Sequence, residues 1–253
     1  MSQAAILSTR GLTRHFGGLA AVKDVSLECR MREVHAVIGP NGAGKTTLIN
    51  MLSGDLRPSA GTIVLDGRDI TGLESHRISK LGIGRSYQKT NVFFSLSAFE
   101  NCRLAAQSRL RNPMRFFRPA LSYRELNAAA ERALAAAGLE GRGGTSVAEL
   151  SHGEQRQAEI AMTLATDPRI LLLDEPLAGM GAEESARIVG LLKRLAADHA
   201  ILLVEHDMDA VFAVADVLTV MVAGMVLESG TPENIRASRA VQEAYLGTEE
   251  VAA

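Results

Sequence analysis

The chain is poor in cysteine, aromatic residues and net charge, and each shortage excludes a class of protein. Its 253 residues include 2 cysteines and no tryptophan, and 4% of them are aromatic. Cys29 and Cys102 lie far apart, in no metal-ligand spacing, which predicts a reduced, cytoplasmic protein without a disulfide framework. The formal net charge of −2 lacks the basic excess typical of nucleic-acid-binding domains, so we do not expect a nucleic acid partner.

The sequence also lacks the signals of an exported or membrane-spanning chain. No cationic start followed by an apolar run occurs near the N-terminus, so we expect no signal peptide. The segment 210–227 is almost wholly apolar and long enough to be conceivable as a membrane span. Asp216 interrupts it, however, and a charge inside a membrane span is costly. The valine-rich alternation predicts instead a helix end, strands over 217–222 and 225–228, and a turn between them.

The apolar content is sufficient for one core, at 47% apolar and 22% charged residues. The length of 253 residues and this composition predict one globular domain with an insertion, or one and a half domains. Apolar segments at 5–9 and 21–27 predict N-terminal strands, joined by a turn at Gly17-Gly18. Phe16 precedes this turn and could stack on a base, but residue type alone favours a buried core phenylalanine.

The most specific pattern is Gly39-Pro40-Asn41-Gly42-Ala43-Gly44-Lys45-Thr46-Thr47, which matches G-x-x-x-x-G-K-[ST]. Its glycines carry no Cβ, so the backbone can approach an anion closely, and the N–H groups of such a loop form an anion-binding concavity. Lys45 would meet the β- and γ-phosphates of a nucleotide, and the Thr46 hydroxyl would meet Mg²⁺. A predicted strand over 33–38 precedes the loop, and a predicted helix follows it and stops near Gly54.

The middle of the chain, 89–165, is predicted to be helical, with one helix over 122–137. A basic run with aromatic residues crosses its first part. It could contact RNA or lipid head groups or dock on a partner, although a solvated helix and loop is the favoured interpretation. The residues are Arg103, Arg109, Arg111, Arg115, Phe116, Phe117 and Arg118.

Leu150-Ser151-His152-Gly153-Glu154-Gln155 predicts a helix start, because Ser151 and Glu154 have the spacing of a capping box. A capped helix is the ordinary interpretation. Gly153 is unusual there, because a better helix former could have occupied the position. We therefore treat this helix start as a second candidate phosphate site.

Two unbroken apolar segments, 170–173 and 200–204, predict buried parallel strands. Asp174 and Glu175 follow the first strand, where burial is costly unless a cation or water meets them. Asp174 would then bind Mg²⁺ and Glu175 would orient or deprotonate a water. His206 follows the second strand, and ligand sites of parallel sheets gather at these carboxyl ends.

The order of these elements resembles the ATP-binding subunits of ABC transporters, over nearly the whole chain from Phe16 to about Gly230. The resemblance implies that 39–46 is the Walker A motif, Asp174-Glu175 the end of Walker B, and 150–155 the signature. It makes Gln88 the Q-loop glutamine, a Mg²⁺ and water contact that senses a permease. It also makes His206 the switch histidine and Phe16 the aromatic residue that stacks on adenine. The second assignment differs from the interpretation based on residue type alone.

The resemblance therefore implies ATP and Mg²⁺ as cofactors and three groups of site residues. The expected catalytic residues are Glu175 and His206. The expected metal contacts are Thr46, Gln88 and Asp174. The expected nucleotide contacts are Phe16, Gly39, Pro40, Asn41, Gly42, Ala43, Gly44, Lys45, Thr46, Thr47, Ser151, His152, Gly153, Glu154 and Gln155.

Two positions depart from the family pattern. His152 stands where the signature commonly has glycine, and 177–180 lacks the aspartate often found after Walker B. These departures and the tail 224–232 are similar to the subgroup that serves branched-chain amino acid importers. Systems for urea and aromatic acids look much alike, so the transported solute stays open.

The implied fold is α/β, with a mostly parallel P-loop NTPase-type core, an N-terminal antiparallel β region and an inserted helical subdomain. The expected parts are core 1–88, helical subdomain 89–165 and core 166–253. The implied partners are membrane permeases, a second ATP-binding subunit of the same or a related sequence, and indirectly a periplasmic solute-binding protein. The implied location is the cytoplasmic face of the inner membrane.

Three rival functions share some or all of these motifs. A soluble ATPase that acts on nucleic acid or ribosomes usually carries two sets of motifs or a coiled insertion, and this chain has one set and no heptad run. A nucleotide-gated scaffold without turnover would need the geometry of Glu175 and His206 to be spoiled. An exporter of lipid or polysaccharide shares every motif and differs only in its partner.

Overall fold

The computed structural model describes residues 4–88, 91–110 and 119–249. Arg111, Arg115, Phe116, Phe117 and Arg118 of the basic run lie outside these residues. The strands in the described part are Ala5–Phe16 (β1), Leu19–Arg30 (β2), Val34–Ile38 (β3), Ala60–Leu65 (β4), Arg68–Asp69 (β5), Ile83–Arg85 (β6), Ile170–Asp174 (β7), Ala200–Val204 (β8), Val217–Val222 (β9) and Met225–Gly230 (β10).

The α-helices of the described residues divide between a middle group and helices beside the strands. Short 3₁₀ turns at Gln107–Arg109, Ala120–Ser122 and Val147–Glu149 connect the middle group. None of the helices in the described part is both long and apolar enough to cross a bilayer. Their bounds are Lys45–Leu52 (α1), Ser75–Lys80 (α2), Ala98–Ala106 (α3), Arg124–Ala136 (α4), His152–Ala165 (α5), Ala182–Leu195 (α6), Met208–Val214 (α7), Pro232–Ala237 (α8) and Arg239–Glu249 (α9).

Two sheets form the scaffold. The first is antiparallel, in the order β2-β1-β4-β5. The second has the order β10-β9-β3-β8-β7-β6, and its strands run parallel except for the edge strand β10. The predicted α/β class with a mostly parallel core and an antiparallel N-terminal region is therefore confirmed.

The core has three apolar parts. One lies between the two sheets and encloses α1, and a second lies between the opposite face of the parallel sheet and α6 and α7. The third joins α3, α4 and α5. β3, β7 and β8 are buried along their whole length, which explains their unbroken apolar sequences. Their carboxyl ends consequently deliver the loops at 39, 175 and 205 to one edge of the sheet.

The structure differs from the predictions at both ends of the chain. β1 and β2 each have 12 residues and extend well beyond 5–9 and 21–27, because irregular pairing with bulges obscures the two-residue period between 9 and 16. At the other end, Thr231-Pro232-Glu233 predict a turn and then one helix to about Leu246, whereas the structure has two helices there. Pro232 starts α8 behind a Thr231 cap, and extended backbone at Ser238 separates α8 from α9.

Candidate functional site

The phosphate loop connects β3 to α1, and its close packing requires glycine at two positions. Gly39 has φ 153° and Gly44 has φ 96°, where side chains with a Cβ are rare. A Cβ on Gly39 would lie 2.1 Å from the Met221 carbonyl oxygen, and one on Gly44 would lie 2.3 Å from that of Ala21. The loop is thereby held between β2 and the end of β9.

Lys45 lies within this loop rather than in solvent. Its side-chain nitrogen donates hydrogen bonds to the carbonyl oxygens of Gly39 at 2.6 Å and Pro40 at 3.0 Å. Burial lowers the pKa of Lys45, while the nearby Glu175 and Asp174 charges oppose that shift. The ammonium group is therefore held by two carbonyl oxygens. Asn41, Gly42 and Thr46 are exposed, Ala43 is buried, and Thr47 is half-buried.

Asp174, at the end of β7, has one carboxylate oxygen without a partner. Its Oδ2 lies 3.7 Å from a guanidinium nitrogen of Arg85, whereas Oδ1 is buried and has no hydrogen-bond partner among the described residues. Burial raises the pKa of Asp174 and Arg85 opposes that shift. An unpaired buried carboxylate oxygen is costly, so the position fits a cation that would complete it.

The described residues contain no group of three or more histidine, cysteine or acidic side chains that could hold a metal by themselves. This does not conflict with Mg²⁺, which keeps several waters and is bound through one or two carboxylates plus phosphate oxygens. The unpartnered Asp174 oxygen therefore fits that donor set.

Glu175 is the point where three segments meet. Its backbone has φ 49°, a left-handed conformation that is uncommon outside glycine. The Gln88 amide donates to its Oε2 at 2.8 Å, and His206 Nδ1 lies 3.9 Å from its Oε1. Three predicted site residues from separate parts of the sequence are thus brought together on one carboxylate.

Glu205 and Arg85 belong to this region, although sequence reasoning gave them no role. Glu205 is fully buried and accepts the N–H groups of Leu177 at 2.7 Å and His206 at 3.1 Å. Burial raises the pKa of Glu205. An acid directly after the apolar strand 200–204 was the available signal. Arg85 had no comparable signal, because its hydrogen-bond partners Asp55 and Ser53 are 30 and 32 residues away in the sequence.

The segment 150–155 forms the predicted capped helix start. Ser151 Oγ accepts the Glu154 N–H at 3.3 Å, and the Glu154 carboxylate accepts the Ser151 N–H at 2.9 Å. Ser151 and His152 are exposed and Gly153 is buried. The Gln155 amide donates to the carbonyl oxygens of Val147 and Leu150. Among the described residues, no hydrogen bond or ion pair joins 151–155 to the phosphate loop of the same chain.

Phe16 ends β1 at the turn before β2, and its side chain is 48% exposed. The interpretation from residue type alone, a core phenylalanine, is therefore wrong. The Arg14 guanidinium lies 4.7 Å from the ring centroid, a cation–π contact. The exposed ring agrees with what the family resemblance implied, an aromatic surface available for stacking.

Solved structures similar to this one include ATP-binding cassettes. The crystal structure of "the ADP conformation of MJ1267, an ATP-binding cassette of an ABC transporter" has a TM-score of 0.86 and 28% identity, and the match covers 97% of this chain and 100% of that one. The "dimeric structure of a post-hydrolysis state of the ATP-binding cassette MJ0796 bound to ADP and Pi" has a TM-score of 0.75 and 25% identity, over 89% of this chain and 98% of that one.

Sequence comparisons place the chain more narrowly. Residues 22–178 match the family described as ABC transporter, and residues 226–251 match the family described as branched-chain amino acid ATP-binding cassette transporter. The high-affinity branched-chain amino acid transport ATP-binding protein BraF of Pseudomonas aeruginosa is 41% identical over 96% of this chain and 98% of its own length. The corresponding LivG of Escherichia coli is 38% identical over 98% and 99%. The chain belongs to the ABC transporter ATP-binding protein family.

Proposed function

We propose that this chain is the Mg-ATPase of an importer for branched-chain or related amino acids. Two relatives named for branched-chain amino acid transport align with almost its whole length. The short C-terminal match at 226–251 points to the same transporters. The geometry around Glu175 is the observation that carries the hydrolytic part of the proposal.

The phosphate loop is proposed to bind the triphosphate of ATP. The glycine backbone lets N–H groups approach the phosphate oxygens, and α1 directs its positive end toward them. The Lys45 ammonium would exchange the carbonyl oxygens of Gly39 and Pro40 for phosphate oxygens. Phe16 would stack on adenine with its exposed ring.

Thr46, Gln88 and Asp174 are the residues proposed to hold Mg²⁺. The unpartnered Oδ1 of Asp174 supports this choice, because a buried carboxylate oxygen is stabilised by a cation. When bound, Mg²⁺ neutralises charge on the β- and γ-phosphates.

Glu175 and His206 are proposed to act on the water that attacks the γ-phosphate. The Glu175 carboxylate accepts a proton of that water, while Gln88 fixes the direction of the carboxylate through its 2.8 Å hydrogen bond. His206 Nδ1 lies 3.9 Å from the other carboxylate oxygen of Glu175, Oε1. From this position its imidazole can donate to a phosphate oxygen. The buried Glu205 supports this arrangement through the His206 N–H.

The segment 151–155 is proposed to serve the ATP bound by a second subunit. Ser151 and His152 are exposed at the positive end of α5, a position suited to an anion. The second subunit can be another copy of this chain or a related ATPase. We further propose that the pair docks on permease subunits at the cytoplasmic face of the inner membrane, and that a periplasmic solute-binding protein supplies the solute.

Replacing Glu175 with glutamine tests the hydrolytic proposal. Glutamine keeps the size of the side chain but is not a base, so turnover should fall by about 10²–10⁴-fold. Binding of a fluorescent ATP analogue should persist. The measurement is phosphate release by purified protein with Mg²⁺, alongside nucleotide titration. Wild-type turnover in this variant would remove Glu175 from the role of base.

Reconstitution with the permease subunits of a branched-chain amino acid importer and its solute-binding protein tests the transport proposal. ATP-dependent uptake of a labelled branched-chain amino acid into vesicles is the expected result. Uptake of other solutes only, or export, would contradict the proposed direction or solute class while leaving the ATPase assignment intact.

A further inference from the structure

A buried ion pair on α5 lies between the segment that carries Gln88 and the segment that carries Glu175. Arg156 and Glu159 are one turn apart on the helix, and their side chains are 5% and 4% exposed. Neither had a role in the sequence analysis or in the mechanism proposed above. Buried charges of this kind are retained only with well-formed partners, so the question is which groups they hold.

Glu159 binds the backbone beside Gln88. Its Oε1 accepts the Tyr87 N–H at 3.1 Å. Arg156 donates to the Tyr87 carbonyl oxygen at 3.0 Å. The pair thus fixes the residue before Gln88 through both of its backbone groups.

Arg156 reaches the other segment with its second terminal nitrogen. That nitrogen donates to the carbonyl oxygen of Glu175 at 2.9 Å. Glu175 is the residue with φ 49°, and such a conformation persists only where its surroundings hold it. One guanidinium group therefore contacts the backbone of Tyr87, next to Gln88, and the backbone of Glu175 itself.

We infer that Arg156 and Glu159 form a positioning pair that aligns Gln88 and Glu175 for hydrolysis and links them to the helix that begins at the 151–155 segment. The inference rests on the proposed role of Glu175 as base. The pair contacts backbone groups of the site and not the reacting atoms, so we expect it to act on turnover and not on nucleotide affinity. A movement of α5 would change both segments together.

The double variant Arg156→Met/Glu159→Met is the main test. Methionine is close to glutamate in length, and replacing both members removes the two charges together, so that neither is left buried without its partner. We expect the kcat for ATP hydrolysis to fall about tenfold or more, because small misplacements of reacting groups are costly. The KM for ATP and the Kd of a fluorescent nucleotide should stay within about twofold. Arg156→Lys, which keeps the charge but replaces two donor nitrogens with one, should give an intermediate kcat.

Ile160→Val is the matched control. Ile160 is fully buried on the same helix, and its side chain makes none of the bonds to Tyr87 or Glu175. The control should lose some stability and keep the wild-type kcat. A control that loses as much turnover as the double variant would reduce the pair to a general stabiliser of α5 and overturn the inference.

Amide hydrogen exchange supplies a readout other than activity. In the double variant, peptides covering 86–92 and 170–180 should exchange faster together. Faster exchange confined to 152–165, or an unchanged kcat, would overturn the inference. Should the double variant fail to fold, Arg156→Lys with the same exchange and kcat measurements decides.

Glu175→Gln measured in parallel separates the two proposals. If Glu175→Gln still hydrolyses ATP, the assignment of Glu175 as base fails. If Glu175→Gln is inactive while the double variant is fully active, only the positioning pair is overturned.

Discussion

Two helices of the middle region begin with the same sequence pattern but differ in what surrounds their first N–H groups. α3 and α5 both start with a capping box, formed by Ser97 and Glu100 in one and by Ser151 and Glu154 in the other. The residue after each box also makes the same kind of contact. The side-chain amides of Asn101 and Gln155 both donate to backbone carbonyl oxygens that precede the helix. The local chemistry of the two helix starts is therefore nearly identical.

The difference lies in what meets the remaining N–H groups. In α3 the N–H groups of Ala98 and Phe99 donate to the backbone carbonyl oxygens of Thr145 at 3.0 Å and Gly143 at 2.9 Å. In α5 the Gly153 N–H donates to the Glu184 carboxylate at 3.2 Å. A backbone partner is fixed, whereas a side chain can rotate away. This difference supports the proposal that the start of α5, and not that of α3, receives an external anion.

Removing the two cap hydroxyls should break this comparison with the largest effect. Ser97→Ala and Ser151→Ala should each cost about 1 kcal/mol of stability, as lost helix caps do. Only Ser151→Ala should lower ATP turnover, by about tenfold or more, because its hydroxyl lies at the proposed phosphate contact. Thermal unfolding and phosphate release check the two effects. Equal turnover in both variants would contradict the proposed use of α5.

Much of the fold follows from the sequence because its strongest signals are local. The strands 200–204 and 217–222 have the predicted bounds, since unbroken or alternating apolar runs specify buried strands directly. The phosphate loop was equally predictable, because a strand, a glycine loop and a helix follow one another without interruption. Phe16 was not, since residue type cannot tell a core ring from one at an exposed hairpin turn.

The supporting contacts of the site were beyond local reasoning. Arg156 looks like an ordinary helical residue, and its partners Tyr87 and Glu175 come from segments 69 and 19 residues away. Glu205 likewise gains its hydrogen-bond partner only in the folded chain, where the loop that carries Leu177 lies against it. Side chains that hold other backbones in place are specified by tertiary structure, and no spacing rule records them.

Truncating the residues that follow the two boxes should sharpen the comparison with a smaller effect on turnover. Asn101 is fully buried and holds both the N–H and the carbonyl group of Phe93. Asn101→Ala should therefore cost about 2 kcal/mol, because it removes several hydrogen bonds made from a fully buried position, and should leave the kcat per folded molecule unchanged. Gln155→Ala should cost about 1 kcal/mol but lower kcat, since Gln155 holds Leu150 beside Ser151. Urea unfolding and turnover separate these outcomes. A loss of kcat in Asn101→Ala alone would reverse the assignment of the two helices.

Acid titration gives the smallest expected effect and compares the two carboxylates themselves. Backbone hydrogen bonds, from Ser97 and from Ser151, lower the pKa of Glu100 and of Glu154. Because each pKa is lower in the folded state, each group contributes stability above its unfolded pKa of about 4.3, and that contribution is lost as the pH falls through the folded value. Glu100→Gln and Glu154→Gln should therefore each flatten the decline of stability between about pH 5 and pH 3. Arg142 lies 3.1 Å from Glu154, so salt should reduce the Glu154 effect more than the Glu100 effect. Urea unfolding across that pH range at low and high salt makes the measurement, and an identical salt response in both variants would show that Arg142 adds nothing to the α5 cap.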